Sequence, residues 1–339
     1  MRRAGILVAA GMLLAGACAG GGSHHDRSTG GTSAAAHGAR VELPPGTRIV
    51  YQAIFGRTTD LGLMGADGSH EHRIPHAPNR NRMHPDVSPD GAWIAFDSNT
   101  PSTDVSQIYI VRPDGSGQRR LLPCHAPCYG NGGPSWSPDG STVLFDAAEG
   151  PTPQHRRDLC YLATVDVATG KERRFMKHPG CTLADSYARW SPDGTHVVFD
   201  RDRNGKEAVA TASIDGSDQR RLTRWGVGAR PTWSPDGQWI ALMSREECDD
   251  CGGHQPPITI MVMRPDGSDL HALTARTPGT RDLHPRWLPD SSGLIFSRCR
   301  KAFACALRIV SLDGTGGRLP IDTEPLAVAH PVVIPPPTQ

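Results

Sequence analysis

Residues 84–96 read HPDVSPDGAWIAF. A turn, Ser88-Pro89-Asp90-Gly91, runs straight into an apolar segment, Trp93-Ile94-Ala95-Phe96. Each turn residue has a reason to be there. Proline fixes φ at the second position, aspartate bonds the local backbone, and glycine accepts positive φ. The unit returns at 137–140, 191–194 and 234–237, with a degenerate copy, Leu288-Pro289-Asp290-Ser291. The spacings are 49, 54, 43 and 54 residues. Self-similarity on this scale marks a repeat architecture.

Working outward, P-x-W precedes the turn at Pro134-Ser135-Trp136, Pro231-Thr232-Trp233 and Pro285-Arg286-Trp287. Pro85-Asp86-Val87 and Ala188-Arg189-Trp190 are variants. After the turn come WIAF, TVLF, HVVF, WIAL and GLIF, then a third run such as QIYIV, then Asp-Gly, then a short run near Arg-Leu. Four short strands per unit follow. The second is apolar at consecutive positions and so buried on both faces. Radial repetition of such sheets is a β-propeller. Residues 48–75 supply the second to fourth strands of a unit, and Ala329-His330-Pro331-Val332-Val333-Ile334 supplies the missing first. The expected fold is therefore all-β: a six-bladed β-propeller of four-stranded antiparallel blades over 48–334, with blade one closed by the C-terminal strand and 335–339 as a tail. SPDG recurs because the fold recurs, so it reads as a turn rather than an active site.

The repeat resembles the TolB-type, WD40-like (PD40) propeller repeat, P-x-W-S-P-D-G-x-x-I-A-F, over about residues 48–334. The resemblance implies an envelope protein that binds a partner. Only a short tether precedes residue 48, so the role of TolB in the Tol–Pal system is not expected to transfer.

The N-terminus reads as a targeting segment. MRR is basic, Ile6 to Ala17 is apolar but too short to span a bilayer, and Ala15-Gly16-Ala17 leads into Cys18. LLAGAC resembles a lipoprotein lipobox, with Ala15 where leucine is usual. Residues 1–18 are thus expected to be a signal peptide ending at a lipidated Cys18, and 19–47 a flexible tether. The expected location is the extracytoplasmic side of the cell membrane, held by the N-terminal lipid alone. With 36 basic and 35 acidic residues and no long charge run, no nucleic-acid footprint is present. A monomer is expected.

Eight further cysteines in an exported chain suggest disulfides. Spacing suggests Cys124–Cys128, Cys248–Cys251 and Cys299–Cys305, leaving Cys160–Cys181. Zinc on Cys124, His125 and Cys128, or on Cys248, Cys251 and His254, is the rival reading. Redox use of Cys248-x-x-Cys251 is a further one. Asp200-x-Asp202-x-Asn204-Gly205 opens like a calcium loop but has Thr211 where a glutamate is required, so a tight turn is the competing reading.

Loops 98–106, 123–133, 147–158, 177–187, 244–257 and 298–304 share the face opposite SPDG, and binding is expected there. At its mouth stands the residue before P-x-W: His84, Gly133, Tyr187, Arg230, His284 and His330. Facing them across each hairpin are Asp97, Asp146, Asp200, Met243, Ser297 and Gln52. The candidate ligand funnel is His84, Tyr187, Arg230, His284, His330, Asp97, Asp146 and Asp200. The bland reading is local His–Asp pairing that ties loop to blade. His84, His284 and His330 fall on consecutive blades and are the candidate metal ligands. No cofactor is expected, with calcium or zinc as the alternatives. The expected function is non-catalytic binding of an envelope protein, peptide or glycan. The alternatives are a metal-assisted hydrolase or lyase and a small-ligand or metal sensor. No G-x-S-x-G elbow is present.

Overall fold

The computed structural model describes residues 43–55, 58–75, 80–100, 103–124, 128–150, 159–181, 183–244, 257–301, 304–318 and 328–336. Cys18, most of the tether, Cys248 and Cys251 lie outside the described residues. The described residues form six four-stranded antiparallel sheets. Blade one pairs Val328–Ile334 with Arg48–Phe55, then Thr58–Gly65 and His72–Arg73. Blade two runs Asn81–Val87, Ile94–Thr100, Thr103–Val111 and Arg119–Leu122. Blade three runs Cys128–Trp136, Thr142–Glu149, Leu159–Asp166 and Glu172–Pro179. Blade four runs Ala184–Trp190, His196–Arg203, Lys206–Ser213 and Arg220–Arg221. Blade five runs Ala229–Trp233, Ile240–Met243, Ile260–Met263 and His271–Ala272. Blade six runs Arg281–Trp287, Gly293–Lys301, Ala304–Ser311 and Gly316–Arg318. The expected propeller and its closure are both present: Arg48 pairs with Ile334 and Ala53 with Val328.

The core is six slabs, one between each pair of neighbouring blades. The second strands show why their apolar residues are consecutive. Ile94 and Phe96 face blade one while Ala95 faces blade three. Likewise Val197 and Phe199 face blade three while Val198 faces blade five. All six side chains have no exposed surface. Burying each of the larger ones contributes about 1.5–3 kcal/mol. No side of a blade is left for water, so no alternation is available to the sequence.

The SPDG units are turns of one design. The Ser88 hydroxyl donates to Asp90 (2.5 Å) and accepts the Trp93 N–H (2.9 Å), while Asp90 accepts the Ala92 N–H (3.0 Å). Gly91 sits at φ 69° and donates its N–H to Ser88 O (2.8 Å). The pattern repeats at Ser137, Ser191 and Ser234. In the degenerate copy Ser291 takes the left-handed position (φ 61°), and its hydroxyl accepts the Asp236 N–H of blade five (3.0 Å).

Among the described residues, strands reach into several of the loops expected on the opposite face. Strands run to Thr100, Glu149, Pro179 and Lys301, and start at Cys128 and Ala184. Polar residues there obscured the continuation, but they are paired across strands. Arg201 donates to Asp185 through two nitrogens (2.7 and 2.9 Å), and Arg298 to Asp282 likewise (2.6 and 2.7 Å). Ionic pairs replace apolar burial where the blades pass beyond their core. Disulfides join Cys124 to Cys128, Cys160 to Cys181 and Cys299 to Cys305 on this face. Those three pairings are the expected ones. The calcium-like segment is a hairpin turn. Arg203 pairs with Lys206, Asn204 and Gly205 have φ 55° and 80°, and Asp202 accepts the Gly205 N–H (3.2 Å).

The serine hydroxyl bonds hold the Asp90 and Asp193 carboxyls below the usual carboxylate range. Their stabilisation is therefore present above about pH 4 and lost as pH falls further. At pH 7, Asp90→Ala and Asp193→Ala should each cost about 1 kcal/mol, and the double variant should add to within about 0.5 kcal/mol. Urea denaturation checks both numbers.

Candidate functional site

The six first strands touch one another in sequence, and that of blade six touches Val328–Ile334, which touches that of blade two. They enclose an axial channel. Each carries a bulge at the same height, seen as a register shift across His84-Pro85, Gly133-Pro134, Tyr187-Ala188, Arg230-Pro231, His284-Pro285 and His330-Pro331. The leading residue is left-handed in all six: φ is 50° at His84, 58° at Gly133, 51° at Tyr187, 56° at Arg230, 55° at His284 and 49° at His330. Positive φ is uncommon for bulky residues, and a ring of five needs an external tie. The preceding blade supplies it. The N–H of His84 donates to Gln52 Oε1 (3.0 Å), that of Tyr187 to Asp146 (3.2 Å) and that of Arg230 to Asp200 (2.7 Å). His284 N–H lies 3.1 Å from Met243 Sδ, a weaker acceptor.

This corrects two expectations. The ring lies within the first strands, not at the mouth of the loop face. Its cross-strand register is displaced by one, because Asp97 pairs with Met83, Asp146 with Gly132 and Asp200 with Ser186. Asp146 and Asp200 therefore staple blade to blade. The local pairing expected of histidine and aspartate holds for His84, whose Nδ1–H donates to Asp97 (2.7 Å), a carboxylate that also accepts the Ser106 hydroxyl (3.0 Å).

The funnel side chains do come together. The His284 and His330 rings stack at 3.6 Å, and His84 meets His330 edge-on at 4.7 Å. The Tyr187 hydroxyl lies 3.4 Å from His84 Nε2, and the Arg230 guanidinium sits 3.1 Å above the Tyr187 ring. The three imidazoles meet by faces and edges. Among the described residues no group of three or more histidine, cysteine, aspartate or glutamate side chains is arranged to hold a metal ion.

Below this ring is a second one that the sequence reading missed: the middle residue of each P-x-W. Asp86, Arg189 and Arg286 are its charged members. Arg189 donates to the carbonyls of Gly133, Pro134 and Ala188 (3.1, 3.1 and 3.0 Å). Asp86 accepts the Trp136 N–H (2.8 Å) and lies 3.4 Å from Arg286. The signal was available, since x is charged in three of the repeats.

Burial, then the guanidinium of Arg286, pushes Arg189 below the ordinary arginine range, and burial does the same to Arg286. Both remain cations at neutral pH. Burial pushes the Asp146 carboxyl and the Tyr187 hydroxyl up. Burial, then Arg230, holds His284 well below 6.5, and burial, then His284, does the same for His330. Both are neutral at pH 7. The unfolded chain takes up these protons first, so stability is in place above about pH 6.5 and is lost as pH falls below it. Unfolding midpoints should drop between pH 7 and pH 5.5, and His330→Gln should remove part of that drop.

The TolB β-propeller domain family matches residues 46–331, from ahead of the first strand of the chain into the strand that closes blade one. An uncharacterized protein of Agrobacterium fabrum is 33% identical over 159 residues, 47% of this chain and 52% of that protein. The Tol-Pal system protein TolB of Francisella tularensis is 23% identical over 79% of this chain and 58% of its own length. The chain thus spans about half the length of these relatives. Among solved structures, TolB of Acinetobacter baumannii superposes with a TM-score of 0.66 at 23% identity, over 86% of this chain and 68% of that one. On the strength of a match that runs through all six blades, the chain belongs to the TolB β-propeller domain family.

Proposed function

We propose that the protein is an exported, non-catalytic propeller that binds a protein partner of the cell envelope at its axial channel and the disulfide-braced face around it. The observation that carries this reading is the family match from blade one through its closing strand. The channel supports it: polar side chains converge on a rigid axis, where ordering them for a partner costs little. Three disulfides on the same face fix connections that would otherwise lose entropy on binding. The targeting segment adds the location, with lipid on Cys18 and residues 19 onward as a leash on the extracytoplasmic side.

One observation favours a second reading. Asp97, His84 and Tyr187 form a hydrogen-bonded series (2.7 and 3.4 Å) of the kind that moves protons in general acid–base catalysis. A hydrolase or lyase working through this series would lose at least a hundredfold in turnover on His84→Gln.

In-cell crosslinking from a photoreactive residue placed at Tyr129, on the first strand of blade three, should capture an envelope protein. Turnover in a substrate screen with no captured partner would overturn the binding reading. Cys18→Ser should abolish lipid labelling and release the protein from the membrane fraction; retained labelling would sink the anchor.

A further inference from the structure

Acidic and basic residues around the channel fall on two overlapping arcs of blades. Asp86, Asp97, Asp146 and Asp200 come from blades two to four. Arg189, Arg230 and Arg286 come from blades four to six. On the basic side is a small pocket open to the channel, whose lining includes Arg189, Arg230, His284, Arg286 and His330. That lining contains three guanidinium groups and no carboxylate. Three of its nitrogens are buried without a hydrogen-bond partner: Arg230 Nη1, Arg286 Nη2 and His284 Nδ1. Arg286 Nη2 is an ion-pair neighbour of Asp86 at 3.4 Å, but that contact lacks hydrogen-bond geometry. A buried polar atom left unpaired is costly, and three around one pocket is unusual for a finished interior.

We propose that this pocket binds a single carboxylate group, held by Arg230 and Arg286 with His284 as a third donor. The chemistry of the donors selects the ligand. Guanidinium groups match a planar two-oxygen anion, and charge-assisted bonds to it are the strong kind. Neutral His284, as the tautomer with its hydrogen on Nδ1, adds one N–H and no charge. Asp200 already lies against Arg230 and Asp86 against Arg286, so the remaining excess of positive charge suits a monoanion better than a phosphate dianion. The pocket is too small for a folded segment, so a carboxylate would reach it on a short side chain. This deepens the protein-binding reading and rests on it for the owner of the carboxylate: an acidic side chain of the partner that enters the channel.

The test uses the mature protein and four probes at matched ionic strength: acetate, an N-acetylated and C-amidated glycyl-glutamate dipeptide, inorganic phosphate and chloride. Acetate and the dipeptide should raise Tm saturably, by about 2–4 °C. Chloride should not. Arg230→Gly and Arg286→Gln should raise the half-saturating concentration at least tenfold. Arg230→Gly is the safe variant for folding, because Gly133 already occupies the same ring position at φ 58°. A stronger response to the dipeptide than to acetate assigns the carboxylate to a partner, and an equal response assigns it to a free small acid; either sustains the site. No saturable response to a carboxylate, an unchanged response in both variants, or a stronger response to phosphate overturns it. Crosslinking separates this from the parent reading. Undiminished partner capture by both variants sinks the carboxylate site and leaves the binding reading standing. Carboxylate binding with no captured partner does the reverse.

Discussion

The channel depends on six bulges at one height. Each puts an extra residue into a first strand and turns its backbone left-handed, at a cost of about 1–3 kcal/mol for a residue other than glycine. Five of the six positions carry a full side chain all the same. The bulge aims that side chain into the channel and frees an N–H that cannot join the sheet. At three positions a carboxylate or amide oxygen from the preceding blade takes that N–H. One interaction thus sets the height of the ring, offsets its strain and joins neighbouring blades.

Charge follows from that constraint. Asp146 and Asp200 hold backbone in place, so they enter the channel wall as structural acids on one side. The residues they support are free to differ, Tyr187 in one case and Arg230 in the other. His284 and His330 stack as neutral rings because burial disfavours an imidazolium ion at either position, and neighbouring charge, Arg230 above all for His284, adds repulsion. The polarity of the channel is a by-product of which blade offers the staple and which offers the side chain.

The blades were legible in the sequence because their signals are local. Ser88 to Gly91 states its own turn, and Ile94-Ala95-Phe96 states burial on two sides. Closure by Ala329 to Ile334 was legible because those residues fill a gap in an otherwise regular count. The ring of His84 and its counterparts was legible as a position. Its depth was not, since ion pairs such as Asp185–Arg201 carry strands through segments that look like polar loop. The one-residue displacement of Asp97, Asp146 and Asp200 was hidden because a bulge leaves no mark in a pattern of residue types. Arg189 and Arg286 were overlooked because they stand inside P-x-W, where the flanking residues draw attention as repeat markers. That Asp146 serves Tyr187 of the next blade follows only from the circular arrangement.

The closing strand has a mechanical consequence. Every blade but the first is threaded in order by the chain, so the propeller is a hoop with one join, where Val328–Ile334 lies against Arg48–Phe55. His330 stands on that joining strand and lines the same pocket as Arg230 and Arg286. An occupant that touches all three rivets the clasp to blades five and six from inside. Force applied along the chain would open the hoop at this seam first, and a filled channel would raise the force at which it parts.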